Sequence, residues 1–235
     1  MNQELWLEAM KTMKTIFEKH HIHYWLDRGT LLGAIRHNDF IPWDTDVDMG
    51  LWYNTILPVF NCKSDFDKTP FELYYTNGHF SIRDRVTKEH IICLLFRDLH
   101  DGKYQWTYFY PPFTFLVFLL EANDTVYNED SIRKFKPNLK PLVALFKHIP
   151  KPLREFTERQ IFKLQVSFRL FRRFNKADAD LFYQFCPYEF KGEYYPIPMD
   201  SEGYLEEFFG PNWKTPIFNK QVITEWEGKP IKVIV

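Results

Sequence analysis

The run WDTDVDMGLW, residues 43–52, constrains this chain more than any other stretch, because it places Asp44, Asp46 and Asp48 on alternate positions. On a β-strand the side chains repeat every second residue, so the three carboxylates share one face, spaced roughly 7 Å apart, with Val47 and Met49 on the other. Ionised carboxylates that close raise one another's pKa and oppose folding unless a cation or basic groups offset them. Two readings follow. One is a solvated strand edge or a turn whose aspartates cap local N–H groups. The other is a cation site, and the apolar, aromatic flanks FIPW and MGLW favour it, since unpaired charge is costly there. Hard oxygen ligands suit Mg²⁺ or Mn²⁺, which keep positions open for water and phosphate.

Upstream, RGTLLGAIRH (residues 28–37) supplies a matching phosphate site. Gly29 lets backbone approach a ligand closely, Thr30 brings a hydroxyl, and the start of the following helical turn aims N–H groups at an anion. Arg36 and His37 can add charge-assisted contacts. Gly and Thr also serve ordinary turns, so this pattern gains its specificity from the aspartates that follow.

The chain around these motifs is an ordinary globular one. Its 235 residues suit a single domain, and 45% hydrophobic with 26% charged residues argue against wholesale disorder. Aromatics are the outlier at 19%, mostly core, with some available to line a groove for a flat or sugar-like ligand. A net charge of −1 disfavours nucleic acid as the main partner. Cys62, Cys93 and Cys186 are far apart, without CxxC spacing, which suggests neither a zinc ribbon nor a disulfide framework and fits a reducing compartment. The first residues show no signal-peptide pattern, and the most apolar run, 113–120, is far short of the about 20 residues a membrane span needs; a cytoplasmic location and no span are expected.

Periodicity predicts an amphipathic helix over residues 4–20, a short strand in HIHYWLD, a helical turn in LLGAIRH and a strand in WDTDVDMGLW. FELYYT, HFSIRDRV and HIICLLF read as three strands joined by short hairpins at NG and TKE. From Pro150 a long helical stretch is expected through residue 185, and YYPIPMDSEGYLEEFFGPNWKTPI reads as loops around a short helix. The expectation is one α/β (α+β) domain over residues 1–235, with a catalytic core in 1–110 and a mainly helical and loop elaboration in 111–235.

The stretch YWLDRGTLLGAIRHNDFIPWDTDVDMG, residues 24–50, resembles the LicD and fukutin family, which carries a Gly-Thr-Leu-Leu-Gly run, an Arg-His, then Pro-Trp-Asp with two more alternating aspartates. Weaker similarity continues through SIRDRV and YLEEFFGPNWKTPI. The resemblance implies a nucleotidyltransferase fold of the polymerase-beta type: a mixed sheet with flanking helices. It implies transfer of a phospho-substituent, of the phosphocholine or ribitol phosphate kind, from a CDP-linked donor onto a glycan hydroxyl. Gly29, Thr30 and Arg36 would contact donor phosphates. Asp44, Asp46 and Asp48 would hold one or two divalent ions, Asp46 and Asp48 being the catalytic pair.

One departure from the family pattern lies in HIICLLF, where Cys93 stands in place of a further aspartate. Three readings stay open: Asp84, Glu89 or Asp98 substitutes; Asp44 completes the site; or the protein binds donor without efficient turnover. Arg83 and Arg85 are read either as a clamp for donor phosphates or as partners in a cross-strand ion pair. His20, His21 and His23 are read as surface or helix-end histidines, and the basic residues from Arg154 to Lys176 as a solvated helix face. Tyr194 and Tyr195 are assigned to packing ahead of sugar stacking. Alternatives to phospho-substituent transfer are transfer of the NMP itself and a non-catalytic nucleotide- or glycan-binding module.

Overall fold

The computed structural model describes residues 2–76, 79–100, 103–109, 148–169, 171–216, 221–226 and 229–234. Helix α1, Gln3–Lys19, forms because Trp6, Ala9, Met10, Met13, Ile16 and Phe17 recur at three- and four-residue spacing and bury as one stripe. The Asn2 side chain caps it by accepting from the Leu5 N–H at 3.2 Å. Beyond it, His21 adopts a φ of 52° and turns the chain into β1, Tyr24–Leu26.

The main sheet runs β1, β2 (Val47–Trp52), β5 (His90–His100), β4 (His79–Asp84), β3 (Phe71–Thr76), with β6 (Lys103–Phe109) on β5 and β7 (Phe171–Asp178) on β6. β2 and β5 are parallel and the other neighbours antiparallel, so the sheet is mixed, as the family resemblance implies. Alternation then sorts its faces. Val47, Met49, Leu51, Ile92, Leu94 and Phe96 turn to one side with Phe80 and Tyr75, and all are buried. α3 (Ile56–Asn61) and α5 (Lys151–Ser167) close that side: the Phe162 ring lies 5.1 Å from Phe60, 5.1 Å from Phe80 and 5.6 Å from Tyr75. Between α3 and β3 lies α4, Lys63–Phe66.

The opposite face carries Asp48 and Gly50 of β2, Cys93, Leu95 and Arg97 of β5, and Ser81 of β4. Trp25 lies flat on Gly50, so closely that a Cβ there would overlap the indole. α2 (Arg28–His37) and α6 (Ser201–Phe209) meet above this face.

Two expectations are corrected. The helical stretch from Pro150 ends at Ser167, where Arg169 takes a φ of 49°, and residues 171–178 form β7. The free edge of β6 offers ladder hydrogen bonds that local periodicity cannot register. The C-terminal elaboration is likewise richer in strands than expected: β8 (Phe185–Phe190) and β9 (Glu193–Pro198) pair across a two-residue turn in which Lys191 and Gly192 both have positive φ, and β10 (Gln221–Trp226) pairs with β11 (Lys229–Ile234). The apolar run 113–120 lies outside the described residues. Among those described, no helix is long and apolar enough to cross a membrane.

Candidate functional site

The site forms where β1 hands the chain to α2. The Asp27 N–H donates to the Asp48 carbonyl at 3.1 Å, extending the β1–β2 ladder by one residue. The Asp27 carboxylate then caps α2, accepting from the Arg28 N–H at 2.9 Å. Arg28 starts the helix with a φ of 40°, a strained backbone held in place by that cap. Gly29 donates its N–H to Asp48 Oδ2 at 3.2 Å, and the Asp48 N–H donates to Thr30 Oγ1 at 2.8 Å, so the first turn of α2 and the first turn-facing residue of β2 are laced together.

Strand β2 begins only at Val47, so Asp44 and Asp46 are not on it. The turn at Pro42 and Trp43, closed by the Asp44 N–H donating to the Ile41 carbonyl at 3.0 Å, interrupts the expected alternation. The carboxylates nevertheless converge. A Cβ on Gly29 would lie 2.5 Å from Asp44 Oδ2 and 3.5 Å from Asp48 Oδ2, which is why the helix needs glycine there. Burial, with the Asp46 charge beside it, pushes the Asp44 carboxyl up to about 6. Burial and then Asp46 also hold Asp48 well above the usual carboxylate range, while the Arg28 guanidinium pulls the other way.

Cys93 pairs with Asp48 across the parallel β2–β5 ladder, and the donor atoms of Asp46, Asp48 and Cys93 all lie within 4.8 Å of one another. Burial, followed by the charges of Asp48 and Asp46, raises the thiol well above its ordinary range. Beside Cys93 on β4, the fully buried Ser81 hydroxyl has no hydrogen-bond partner among the described residues. Two carboxylates, a thiol, an orphaned hydroxyl and a glycine cradle together fit a divalent cation.

Sequence reasoning missed two contributors. His90, which opens the strand bearing Cys93, places Nε2 3.4 Å from Asp46 Oδ2 and Nδ1 2.8 Å from the Tyr74 hydroxyl. Asp27 and Arg97 form a fully buried ion pair at 2.8 Å, with Arg97 also donating to the Tyr204 hydroxyl at 3.0 Å. The aspartate directly before RGT was the visible signal for the second.

Other expected site residues are placed elsewhere. Arg36 is in the last turn of α2, roughly 10 Å along the helix from Gly29, where its guanidinium donates to the Trp213 carbonyl at 2.9 Å. Arg83 is ion-paired with Glu72, lies 4.2 Å over the Tyr74 ring and pairs with His90 across the β4–β5 ladder, at the site's border. β4 ends at Asp84, so Arg85 does not continue its face; the guanidinium donates to the carbonyls of Phe71 (2.7 Å) and Phe66 (2.9 Å). Asp84 caps its own turn, accepting from the Val86 and Thr87 N–H groups at 2.9 and 2.6 Å. Asp98 is five residues beyond Cys93, on the opposite face of β5, 3.4 Å from Arg169. Neither joins the cluster. His20 pairs with Asp65, and His23 stacks among Trp25, Trp52 and Phe185. Tyr195 is buried and Tyr194 exposed.

A glycine-cradled carboxylate cluster against a helix start, on a mixed sheet, agrees with the comparison of the chain to known families. The LicD/FKTN/FKRP nucleotidyltransferase domain matches residues 21–144, just over half of the chain. The chain belongs to this family. Family relatives include an uncharacterised protein of Rickettsia prowazekii, 31% identical over 72 residues (31% of this chain, 27% of the relative). The ribitol 5-phosphate transferase FKRP of Homo sapiens is 43% identical over 49 residues (21% and 10%). The lipopolysaccharide cholinephosphotransferase LicD of Haemophilus influenzae is 46% identical over 43 residues (18% and 16%). The matched segments thus span from about a tenth to about a quarter of these relatives' own lengths.

Proposed function

We propose that this protein is a metal-dependent transferase that moves a phospho-substituent from a CDP-activated donor to a carbohydrate hydroxyl. The observation that carries the reading is the convergence of Asp44 and Asp48 on Gly29 in the N-terminal turn of α2, with Asp46 beside Asp48: carboxylates suited to a cation lie next to a helix start suited to an anion. Family membership, and relatives named for ribitol 5-phosphate and cholinephosphate transfer, support it.

In this reading Asp46 and Asp48, with Asp44 at their side, hold Mg²⁺ or Mn²⁺. Held there, such an ion would supply positive charge against a diphosphate and a departing nucleotide. The rest falls to the chain. The backbone around Gly29 and Thr30 takes the phosphates with the N-terminal end of the α2 dipole behind it. Arg28, which already acts on Asp48, adds positive charge at the donor side. His90, held by Tyr74, fixes Asp46 from the outer side.

Product analysis with CDP-ribitol, CDP-choline and CDP-glycerol over a panel of glycan acceptors tests this directly. CMP release that requires a divalent ion and is lost in Asp46→Asn is expected. Pyrophosphate release from a nucleoside triphosphate would replace this reading with NMP transfer. Calorimetric binding of a CDP-linked donor with no turnover across the panel would support the binding-module reading, which the presence of Cys93 rather than a carboxylate beside Asp48 favours.

A further inference from the structure

We propose that Cys93 is itself a metal ligand, so that the ion sits between two carboxylates and a thiolate, with a preference for borderline-soft ions over Mg²⁺. The inference rests on the metal dependence of the proposed function and names what that function would use.

Three observations carry it. First, the donor atoms of Asp46, Asp48 and Cys93 lie within 4.8 Å of one another, and metal bonds of about 2.0–2.3 Å to oxygen and sulfur bring ligands almost that far apart to a common ion. Second, the placement is built into the sheet. Asp48, Cys93 and Ser81 are paired neighbours on β2, β5 and β4, so one face presents carboxylate, thiol and hydroxyl in a row. Third, two of that row are buried and one is incompletely bonded. Cys93 is 8% exposed and Ser81 0%, and among the described residues the Ser81 hydroxyl has no partner. A buried hydroxyl without a partner is destabilising, and a ligated thiolate or a metal-bound water beside it supplies an acceptor or donor. The three acidic candidates to replace the missing aspartate lie elsewhere: Asp84 caps its own turn, Asp98 is on the far face and Glu89 is exposed outside the cluster.

Binding forms a metal–sulfur bond and breaks the S–H bond, with the proton released to solvent; no electron changes hands. Thiolate favours Co²⁺, Zn²⁺ or Cd²⁺, whereas the harder Mg²⁺ and Mn²⁺ gain little from sulfur.

The test is optical. Titrating the purified chain with Co²⁺ alone should produce a thiolate-to-cobalt charge-transfer band in the near ultraviolet, and Cd²⁺ alone its counterpart at shorter wavelength. The band should persist when Cys62 and Cys186 are both replaced by Ser. Cys93→Ser should lose it and bind Co²⁺ at least about 10–100-fold more weakly. Cys93→Asp, which keeps a ligand of the same reach should the serine variant misfold, should bind Co²⁺ without the band and gain affinity for Mg²⁺. Co²⁺ bound without a band, or a band that survives in Cys93→Ser, overturns the thiolate and leaves the proposed function standing. No binding of Co²⁺, Mn²⁺ or Mg²⁺ to the wild-type chain overturns both.

Discussion

Two acidic sites flank the start of α2, and they are opposites. Asp27, just before the helix, is fully buried with Arg97 across from it; the charges cancel and the remaining lone pairs go to the Arg28 N–H and the guanidinium. Asp44, Asp46 and Asp48, just beneath it, place several carboxylates together, with the Arg28 guanidinium nearby and the partly exposed His90 ring against Asp46. The first is a joint whose charges are paired within the protein, with Arg97 Nη1 the one guanidinium nitrogen left without a hydrogen-bond partner among the described residues. The second is left electrostatically open on one side, which is the condition for recruiting a cation from solution.

The sharpest way to break this contrast is Asp48→Asn. It should lower ion-dependent CMP release by at least about 10³-fold while circular dichroism shows the fold retained. Full activity in that variant would end the site assignment. Next in size, Arg97→Met should cost about 3–5 kcal/mol in urea denaturation, because it strands the buried Asp27 charge, and adding Asp27→Asn should recover part of that loss. A cost below about 1 kcal/mol would mean that the joint is not one.

Asp44 gives a pH signature of the opposite sign. Its carboxyl is raised to about 6 in the fold, against about 3.9 in an unfolded chain, so the native state holds the proton more tightly. Without metal, the contribution of Asp44 to stability should therefore be fully present below about pH 4 and be lost as the pH rises towards 6. Asp44→Asn should flatten that slope and, at pH 7, stabilise the metal-free protein by about 2–3 kcal/mol. Added divalent ion should reverse the wild-type penalty in a melting experiment. A smaller effect is expected at the rim: His90→Ala should weaken Mn²⁺ binding by about 10–100-fold through loss of its hold on Asp46. Smallest of all, Arg36→Ala should change donor affinity by less than about threefold, since its guanidinium serves the Trp213 carbonyl at the far end of α2; each tenfold loss is about 1.4 kcal/mol.

How much of this was legible in the sequence depends on the range of the interaction. The α1 stripe, the three strands after residue 70 and the pairing of the Gly-Thr turn with the aspartates are local patterns, and the fold keeps them. Cys93, which the family resemblance singled out as standing in place of an aspartate, is indeed the strand neighbour of Asp48. What failed were inferences that needed a distant partner. The helix expected across residues 168–185 yields to β7 because β6 offers an edge. Arg85 reads as a phosphate ligand until the carbonyls of Phe66 and Phe71 are seen around it. Arg97 carries no local signal, since its partner is 70 residues away.

The close seat of Trp25 on Gly50 has a consequence for evolution of the pocket. The indole works as a cover: β1 and β2 are held by their antiparallel ladder, and the ring lies over the Gly50 backbone on the face that also carries Asp48, filling the space a side chain there would need. A side chain at position 50 would displace the ring, and a smaller residue at 25 would leave a gap two positions from Asp27. Variants at either position should therefore reach the acidic cluster by repacking its apolar flank while Asp44, Asp46, Asp48 and Cys93 all stay the same.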